Sequence, residues 1–423
     1  MAKIREVLQE LNPWWKGKFI LEFKERQIYK ELQEFMPMPQ MIAITGLRRV
    51  GKTTLMRKII DDELKRGFDP KSIMYFSFDE FKDVEVREVI REYEDLTQRR
   101  IQDGKYLLLL DEIQKLSDWE NQIKGVYDTF GKNVKIILSG SESLFIKNRS
   151  KETLAGRIFM FEVEPLSFKE FLYFKGVDFE PIGVYEGELL TLFNEFTLTL
   201  GFPEMVGISE KRIIERYVKE SIVERVVYKD IQKLFGIKDV SVIESLLNIL
   251  MDEPGQIIEM SGLASELNIS RQTLSNYMTY LEESFLVRKL YNFSRNRRKT
   301  GRKLKRYYPA VISVDLLFRD DDLSKSRVFE WNVVNQLNGE FFWRDSYKNE
   351  VDVILPGENP MPVEIKYGKL DMKGLKRFMD KFGVGKGYII SYNRQEEHKI
   401  NGRVIRVVPA FKFLLSQDNY DAK

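Results

Sequence analysis

The sequence of 423 residues contains no cysteine and a single histidine, His398. The absence of cysteine excludes disulfides, zinc–thiolate centres and cysteine nucleophiles, and one histidine argues against histidine triads and histidine metal clusters. No run of about 18 apolar residues occurs, so we expect no membrane span. The N-terminus also lacks the apolar core of a signal peptide. We therefore expect a cytoplasmic protein without a membrane partner.

The chain also has little excess charge of either sign. Its formal net charge is only +3, although its composition is 31% charged and 43% hydrophobic. Any affinity for nucleic acid must therefore come from a local basic patch and not from the whole field of the protein. At about 150 residues per domain, this length predicts roughly three domains.

One segment has the spacing of a phosphate-binding loop. The apolar run 41–44 predicts a buried strand, Gly46-x-x-x-x-Gly51-Lys52-Thr53 follows at once, and a helical pattern comes next. In this strand–loop–helix context the backbone N–H groups surround phosphates, a lysine reaches the β- and γ-phosphates, and a hydroxyl ligates Mg²⁺. We therefore predict an ATP and Mg²⁺ site in which Thr53 ligates the metal and the binding residues are Gly46, Leu47, Arg48, Arg49, Val50, Gly51, Lys52, Thr53 and Thr54.

An acidic pair follows a second buried strand. The run 106–110 ends in Asp111 and Glu112, at the strand end where open α/β sheets bind ligands. We predict that Asp111 holds Mg²⁺ through water and that Glu112 polarises the attacking water; the alternative is an exposed acidic turn. Further strands at 72–78 and 134–138 alternate with helical patterns, which predicts an α/β domain with a mostly parallel sheet. Ser139, at the tip of the last strand, would sense the γ-phosphate or position water.

These motifs resemble those of the AAA-like P-loop ATPases of the STAND group, close to the archaeal clade called MNS. The similarity lies in residues 46–54, 107–114, 138–143, 154–159, 164–171 and 201–204. It implies that strand 134–138 lies between the P-loop strand and the Asp111 strand, and that segment 26–28 lies near the adenine. It also implies that Pro203, in a Gly201-Phe202-Pro203 element, packs near the nucleotide from a helical lid.

An arginine after the last of these strands suggests an oligomer. Arg157 could be a finger that reaches the γ-phosphate of an adjacent subunit, although a surface arginine is more often simply solvated. We therefore expect a homo-oligomer in which Arg157 acts between subunits.

A helix-turn-helix pattern occupies 260–282. Asn268 fits the left-handed position of the turn, and Ser270 fits the N-cap of the second helix. The basic run 295–306 follows, as the tip of a wing hairpin. We expect DNA as a partner, although such a loop can be merely solvated and a winged helix can serve only as a protein lid. The predicted DNA contacts are Arg271, Gln272, Thr273, Arg295, Arg297, Arg298, Lys299, Arg302 and Lys303.

The last 120 residues carry a second acidic constellation. Glu330 lies in a helical pattern, and Asp352 and Glu364 belong to two predicted strands, with Lys366 on the same strand face as Glu364. Asp352 and Glu364 could hold Mg²⁺, and Lys366 could help to orient a water for phosphodiester attack. The arrangement resembles the PD-(D/E)xK nuclease superfamily, although the proline common before the aspartate is absent. The alternative is a retained fold that binds DNA or partners, its charges merely paired.

We predict three parts: a P-loop ATPase domain at 1–200, a helical lid with a winged helix at 201–308, and a nuclease-like (restriction-endonuclease-like) α/β domain at 309–423. One hypothesis is an ATP-hydrolysing, DNA-processing enzyme with an Mg²⁺-dependent nuclease-like module. The alternative is a STAND-like switch or scaffold, controlled by ATP, in which the C-terminal module does not cleave. A small-molecule kinase is disfavoured by the helix-turn-helix and by the Asp111–Glu112 pair.

Overall fold

A computed structural model describes residues 2–81, 84–140, 153–237, 239–296 and 304–416. The chain divides into two compact units, Met1–Pro165 and Leu166–Lys423. No helix among the described residues is both long and apolar enough to cross a membrane.

The first unit alternates helices and strands. Its helices are α1 (Ala2–Leu11), α2 (Gln27–Phe35), α3 (Lys52–Lys65), α4 (Val86–Thr97) and α5 (Trp119–Phe130). Its strands are β1 (Met41–Thr45), β2 (Ile73–Ser77), β3 (Tyr106–Asp111), β4 (Val134–Gly140) and β5 (Ile158–Glu162).

These strands form one parallel sheet in the order β2-β3-β4-β1-β5. Every residue of β1 and β3 is buried, as expected of parallel strands covered on both faces. The predicted α/β class is therefore confirmed for this unit. The predicted position of β4, between the P-loop strand and the Asp111 strand, is confirmed as well. Strand β5 was not predicted, although its residues 158–161 are all apolar; residues 158, 159, 160 and 162 are only partly buried.

The N-terminal segment covers the outer edge of this sheet at β2. The Asn12 amide accepts from Tyr75 N–H and donates to the Tyr75 carbonyl, both at 2.8 Å. The indole N–H groups of Trp14 and Trp15 both donate to the Ile73 carbonyl, at 3.2 and 2.8 Å. An uncovered edge strand would offer these backbone groups to another chain, so residues 12–15 protect the edge and fix the position of β2.

The second unit begins with helices and ends in two sheets. Its helices are α6 (Phe168–Lys175), α7 (Glu186–Thr199), α8 (Lys211–Arg216), α9 (Gln232–Phe235), α10 (Ser241–Asp252), α11 (Met260–Glu266), α12 (Arg271–Glu283), α13 (Val314–Leu317), α14 (Asp322–Gln336), α15 (Lys373–Phe382) and α16 (Ala410–Leu415). Its strands are β6 (Gln256–Ile257), β7 (Val287–Asn292), β8 (Lys305–Pro309), β9 (Phe341–Arg344), β10 (Glu350–Val351), β11 (Val353–Leu355), β12 (Met361–Lys366), β13 (Lys386–Ser391), β14 (Glu396–Ile400) and β15 (Arg403–Pro409).

Two π-helical segments, Tyr217–Val223 and Arg225–Ile231, join α8 to α9. Apolar residues recur along 213–227 at helical spacing, which predicts a helical region here but does not reveal the wider turns. Val218, Ile222, Val226 and Val227 of the π-helical segments are buried. Ile213, which lies in α8 before these segments, is 48% exposed, whereas its neighbour Ile214 is buried.

The first sheet of this unit has the order β10-β9-β7-β8-β6, with β7 and β8 antiparallel. The second has the order β11-β12-β13-β15-β14, with β12, β13 and β15 parallel. The first sheet contains strands from both sides of residue 309, where the third domain is predicted to begin. The hairpin β7–β8 is thus hydrogen-bonded to C-terminal strands.

Helix α15 approaches β10 very closely at Gly374. A Cβ atom at this position would lie 1.8 Å from the Glu350 carbonyl oxygen, so glycine permits the helix start to pack directly on the strand. Leu375, Phe378 and Met379 of the same helix belong to a buried core with Trp343 and Ile389. The position of residues 350–352 therefore depends on this contact.

We predict that Gly374→Ala destabilises the second unit by about 1–3 kcal/mol, because an added methyl group must displace backbone. Gly187→Ala is the matched control: its Cβ would meet no atom within 4 Å, and we expect a change within about 1 kcal/mol. Urea unfolding followed by tryptophan fluorescence measures both. Equal stabilities for the two variants would contradict the close packing of α15.

Candidate nucleotide site and carboxylate centre

The P-loop lies between β1 and α3, and its conformation requires glycine at two positions. Gly46 has φ +139°, and a Cβ there would lie 2.4 Å from the Val163 carbonyl oxygen. Gly51 has φ +101° and immediately precedes α3. The nine consecutive residues predicted to bind the phosphates, 46–54, lie in this loop or in the first turn of α3. Backbone N–H groups at a helix N-terminus favour anionic ligands.

Lys52 is buried inside the loop. Its Nζ donates to the carbonyl oxygens of Gly46 and Leu47, both at 2.9 Å. The ammonium is thereby held among the loop's own backbone atoms. Burial raises the pKa of Glu112, and the Lys52 charge opposes that rise. A fixed positive charge at the N-terminus of a helix suits a polyphosphate.

The Asp111 carboxylate is buried and accepts hydrogen bonds from three hydroxyl groups. Thr53 Oγ1 donates at 2.8 Å and Tyr75 OH at 2.6 Å, both to Oδ2, and Ser139 Oγ donates to Oδ1. The donors come from α3, β2 and β4. Thr53 and Asp111 supply the hard oxygen ligands that Mg²⁺ prefers, so these two residues fit the predicted metal. Tyr75 was missed, because a tyrosine in an apolar strand indicates core packing.

Glu112 lies next to this group in a different environment. Its backbone is left-handed, with φ +54°, and its N–H donates to Ser139 Oγ at 3.2 Å. Gln114 Nε2 donates to Glu112 Oε2 at 2.6 Å. Burial raises the pKa of Glu112, and the Lys52 ammonium opposes this rise. A carboxylate with a raised pKa is a better proton acceptor, which suits the predicted role of Glu112 on water.

Arg26 contacts the back of the P-loop. Its guanidinium is buried and donates to the Val50 carbonyl and to the Glu164 carbonyl, both at 2.7 Å. The resemblance implied a position near the adenine for segment 26–28. The observed contacts are with the backbone of the P-loop and of the segment that follows β5, so Arg26 ties the N-terminal segment to the loop.

The other candidates of the ATPase stay predictions. Arg157 Nε donates to Asp128 Oδ1 at 3.2 Å, and its proposed action between subunits is not tested. Pro203 begins a short 3-10 turn of the second unit, after a buried Phe202. Its predicted contact with nucleotide is likewise not tested.

The helix-turn-helix elements form as the pattern indicated. Asn268 has φ +54°, and the Ser270 hydroxyl accepts from Thr273 N–H, capping α12. Arg271 and Gln272 are exposed in the first turn of α12. Arg295 Nη2 donates to the Phe382 carbonyl at 2.8 Å. The other predicted DNA contacts, at positions 297, 298, 299, 302 and 303, lie outside the described residues.

The predicted acidic residues of the second unit do come together, around an arginine. Arg306 of β8 directs Nη1 at Asp352 Oδ1, at 3.1 Å, and at Glu330 Oε1, at 3.5 Å. Its Nη2 pairs with Glu350 Oε1. Tyr308 OH donates to Glu330 Oε1 at 2.7 Å. Glu330, Glu350 and Asp352 with Arg306 and Tyr308 are called the carboxylate centre below. Arg306 was missed, because it ends a basic run typical of a DNA contact.

Lys366 and Glu364 adjoin this centre. Lys366 Nζ lies 2.6 Å from Glu364 Oε1 and 4.0 Å from Asp352 Oδ2, which also accepts from Ile365 N–H at 2.9 Å. Burial and the Asp352 charge raise the pKa of Glu364, while Lys366 opposes the rise. The predicted acid and lysine therefore share a strand face, as the alternation indicated.

The predicted Mg²⁺ ligands Asp352 and Glu364 do not fit a divalent ion in this arrangement. One feature suits a metal: Glu364 Oε2 is buried and has no hydrogen-bond partner among the described residues. However, a hard divalent ion requires several free oxygen ligands, and both Asp352 oxygens already have partners. Within the described ranges, no three acidic or histidine side chains are arranged to hold a metal. The carboxylates are paired with cations instead.

Comparison with known families gives three matches. Residues 38–172 match the model of the AAA domain. Residues 190–310 and 330–413 match two models described as domains of unknown function, DUF8612 and DUF4143.

Three relatives are similar over much of the chain. The uncharacterized protein MJ1637 of Methanocaldococcus jannaschii is 27% identical over 420 residues, covering 89% of this chain and 85% of the relative. MJ1544 of the same organism is 27% identical over 435 residues, covering 93% of this chain and 92% of the relative. An uncharacterized protein of Haemophilus influenzae is 28% identical over 267 residues, covering 62% of this chain and 64% of the relative.

Solved structures show only distant likeness. Orc1 of Aeropyrum pernix in complex with DNA is 14% identical, covers 73% of this chain and 96% of its own, and has a TM-score of 0.35. Cdc6p of Pyrobaculum aerophilum is 14% identical, covers 75% of this chain and 97% of its own, and has a TM-score of 0.31. AMPPCP-bound DnaA of Aquifex aeolicus is 16% identical, covers 64% of this chain and 92% of its own, and has a TM-score of 0.29. Residues 38–172 are thus similar to an AAA domain, and the P-loop and all five strands of the parallel sheet lie within this range.

Proposed function

We propose that the protein binds ATP with Mg²⁺ and hydrolyses it in the first unit. The observation that carries this proposal is the hydrogen bond from Thr53 to Asp111, which joins the P-loop to the acidic end of β3 at 2.8 Å. A phosphate-binding loop and a paired acidic strand end are the two parts that hydrolysis of a nucleoside triphosphate requires. An exposed acidic turn is excluded by the burial of Asp111.

Each residue then has a separate task. Lys52 and the N–H groups of the loop bind and orient the phosphates. Thr53 and Asp111 would hold Mg²⁺, which when bound neutralises phosphate charge. Glu112, with its raised pKa, orients the attacking water and accepts its proton. Ser139 fixes the backbone of Glu112 and the carboxylate of Asp111, so the two acids keep distinct roles.

For the second unit we propose association with DNA through a winged helix. Support comes from the capped α12, whose first turn exposes Arg271 and Gln272, and from the antiparallel hairpin β7–β8 that follows. A helix N-terminus with exposed polar side chains after a turn is the arrangement used to reach the major groove. We also propose a homo-oligomer in which Arg157 acts between subunits.

Two roles for the C-terminal module follow from its nuclease-like order of helix and strands. One is Mg²⁺-dependent cleavage of DNA by Glu330, Asp352, Glu364 and Lys366. The other is a non-catalytic part of an ATP-controlled switch or scaffold. The pairing of these carboxylates with Arg306 and Lys366 favours the second role, because a carboxylate that neutralises a side-chain cation is not available as a metal ligand.

We predict that Lys52→Ala abolishes ATP hydrolysis and that Glu112→Gln slows it by about 100-fold or more while ATP remains bound. Lys65→Ala, at the exposed far end of the same helix, is the control and should keep full activity. Phosphate release and binding of a fluorescent ATP analogue measure the two steps. Normal turnover of Glu112→Gln would assign the water to another residue.

Tyr75→Phe removes one hydroxyl donor from Asp111 and keeps the ring. Loss of a partner that orients a ligand typically lowers metal affinity by about 10–100-fold. We therefore expect the Mg²⁺ concentration for half-maximal ATP hydrolysis to rise by that factor.

Tyr106→Phe, at the opposite end of β3, is the matched control and should leave this concentration unchanged. An unchanged Mg²⁺ dependence of Tyr75→Phe would show that the hydroxyl does not position Asp111.

We predict that Arg271→Ala weakens DNA binding and lowers the slope of log affinity against log salt by about 1. Arg216→Ala, which breaks only an exposed pair with Glu220, should change neither. Fluorescence anisotropy over a salt series measures both variants.

The same protein, incubated with single-stranded, double-stranded and branched DNA in Mg²⁺ or Mn²⁺, should leave every DNA intact. Cleavage that disappears in Asp352→Ala would establish the nuclease and contradict the non-catalytic role.

For DNA binding, a slope of log affinity against log salt in Arg271→Ala equal to that of wild type would remove α12 from the DNA footprint.

A further inference from the structure

We propose that Arg306 is the resident cation of the carboxylate centre: it takes the place of a divalent metal ion among Glu330, Glu350 and Asp352 and fastens strand β8 to them. This inference rests on the contacts within the second unit. It does not depend on ATP hydrolysis in the first unit.

The guanidinium of Arg306 contacts three carboxylates at the same time. Arg306 presents Nη1 to Asp352 Oδ1 and Glu330 Oε1, and Nη2 to Glu350 Oε1. An arginine fork is planar and fixed, so one side chain can serve carboxylates from separate elements at the same time. Here Glu330 comes from α14, and Glu350 and Asp352 come from the single segment 350–352 at β10. Together with its own strand β8, Arg306 therefore joins three segments of the chain.

The charged groups of the carboxylate centre are largely removed from water. The side chains of Arg306 and Asp352 are only 13% and 8% exposed. A charge removed from water to this extent needs a partner and further hydrogen bonds. The carboxylates are the partners of the arginine charge, and Tyr308 supplies further hydrogen bonds. Its hydroxyl accepts from Arg306 Nη1 at 3.2 Å and donates to Glu330 Oε1 at 2.7 Å. Arg306 and Tyr308 are two residues apart on β8 and therefore lie on the same face.

Arg306 and a metal ion would compete for the carboxylate oxygens of this centre. A divalent ion between Asp352 and Glu330 would compete with Arg306 Nη1 for Asp352 Oδ1 and Glu330 Oε1. It would also stand beside a guanidinium that is always protonated. Lys366 adds a second positive charge, 4.0 Å from Asp352 Oδ2. Arg306 therefore excludes the metal both by contact and by charge.

The position of Arg306 in the sheet gives this pairing a mechanical consequence. Arg306 is paired with Leu290 of β7 and with Ile257 of β6. The hairpin β7–β8 is the one that follows the helix-turn-helix. The ionic contacts thus connect this hairpin to α14 and β10 without a metal. The carboxylates that would bind a metal cofactor in a nuclease here stabilise the packing of the second unit.

Binding of Mn²⁺ to the full, nucleotide-free chain tests the proposal, with free Mn²⁺ followed by electron paramagnetic resonance. In the wild-type background, Asp352→Asn should leave the number of bound ions unchanged. Arg306→Gln should gain one Mn²⁺ site that wild type lacks. The double variant Arg306→Gln/Asp352→Asn should lose that site.

Arg216→Gln is the matched control and should gain no site. Arg306→Lys, which keeps a positive charge in the centre, should also gain none. A wild-type site lost in Asp352→Asn would overturn the proposal, and so would a folded Arg306→Gln that gains no ion. Circular dichroism establishes folding. For an Arg306→Gln that does not fold, the wild-type and Asp352→Asn comparison still decides whether metal enters the centre. Because ATP is absent, none of these outcomes depends on the proposed ATPase.

Discussion

The arrangement of the first unit depends on one buried carboxylate, that of Asp111. Its oxygens accept from Thr53, Tyr75 and Ser139, which belong to the helix after the P-loop and to the strands on either side of β3. The register of the sheet sets these contacts, since β3 lies between β2 and β4. The edge of β2 is in turn fixed by Asn12 and two tryptophans. A shift of any of these strands would move a donor away from a buried charge, which is costly.

The two acidic sites differ in what neutralises their charge. Asp111 is surrounded by neutral hydroxyl donors, which orient the carboxylate but leave its negative charge in place for a cation. Asp352 is held by Arg306 and lies near Lys366, so its charge is already balanced within the protein. Carboxylates in similar positions at strand ends can therefore have opposite capacities for metal. The partners decide this capacity, and the acid itself does not.

Much of the first unit could be predicted because its signals are local. The P-loop spacing, the apolar strands and the acidic end of β3 each lie within a few consecutive residues. Tyr75 could not be predicted, because its hydroxyl meets Asp111 only through the pairing of two strands that are about thirty residues apart in sequence. In the second unit, Asn268 and Ser270 followed from turn and capping rules. The two π-helical segments did not, because apolar residues at helical spacing are compatible with either kind of helical turn.

Arg306 shows why the character of the carboxylate centre could not be read from the motif alone. The spacing of Asp352, Glu364 and Lys366 specifies two acids and one base on neighbouring strands, and a metal site and an ionic cluster share that spacing. The deciding residue is 46 positions from Asp352, at the end of a basic run whose local pattern is that of a phosphate contact. Only the register of β8 turns its side chain inward. The spacing of a nuclease-like motif therefore does not determine its chemistry, which depends on whether a distant cation takes the place of the metal.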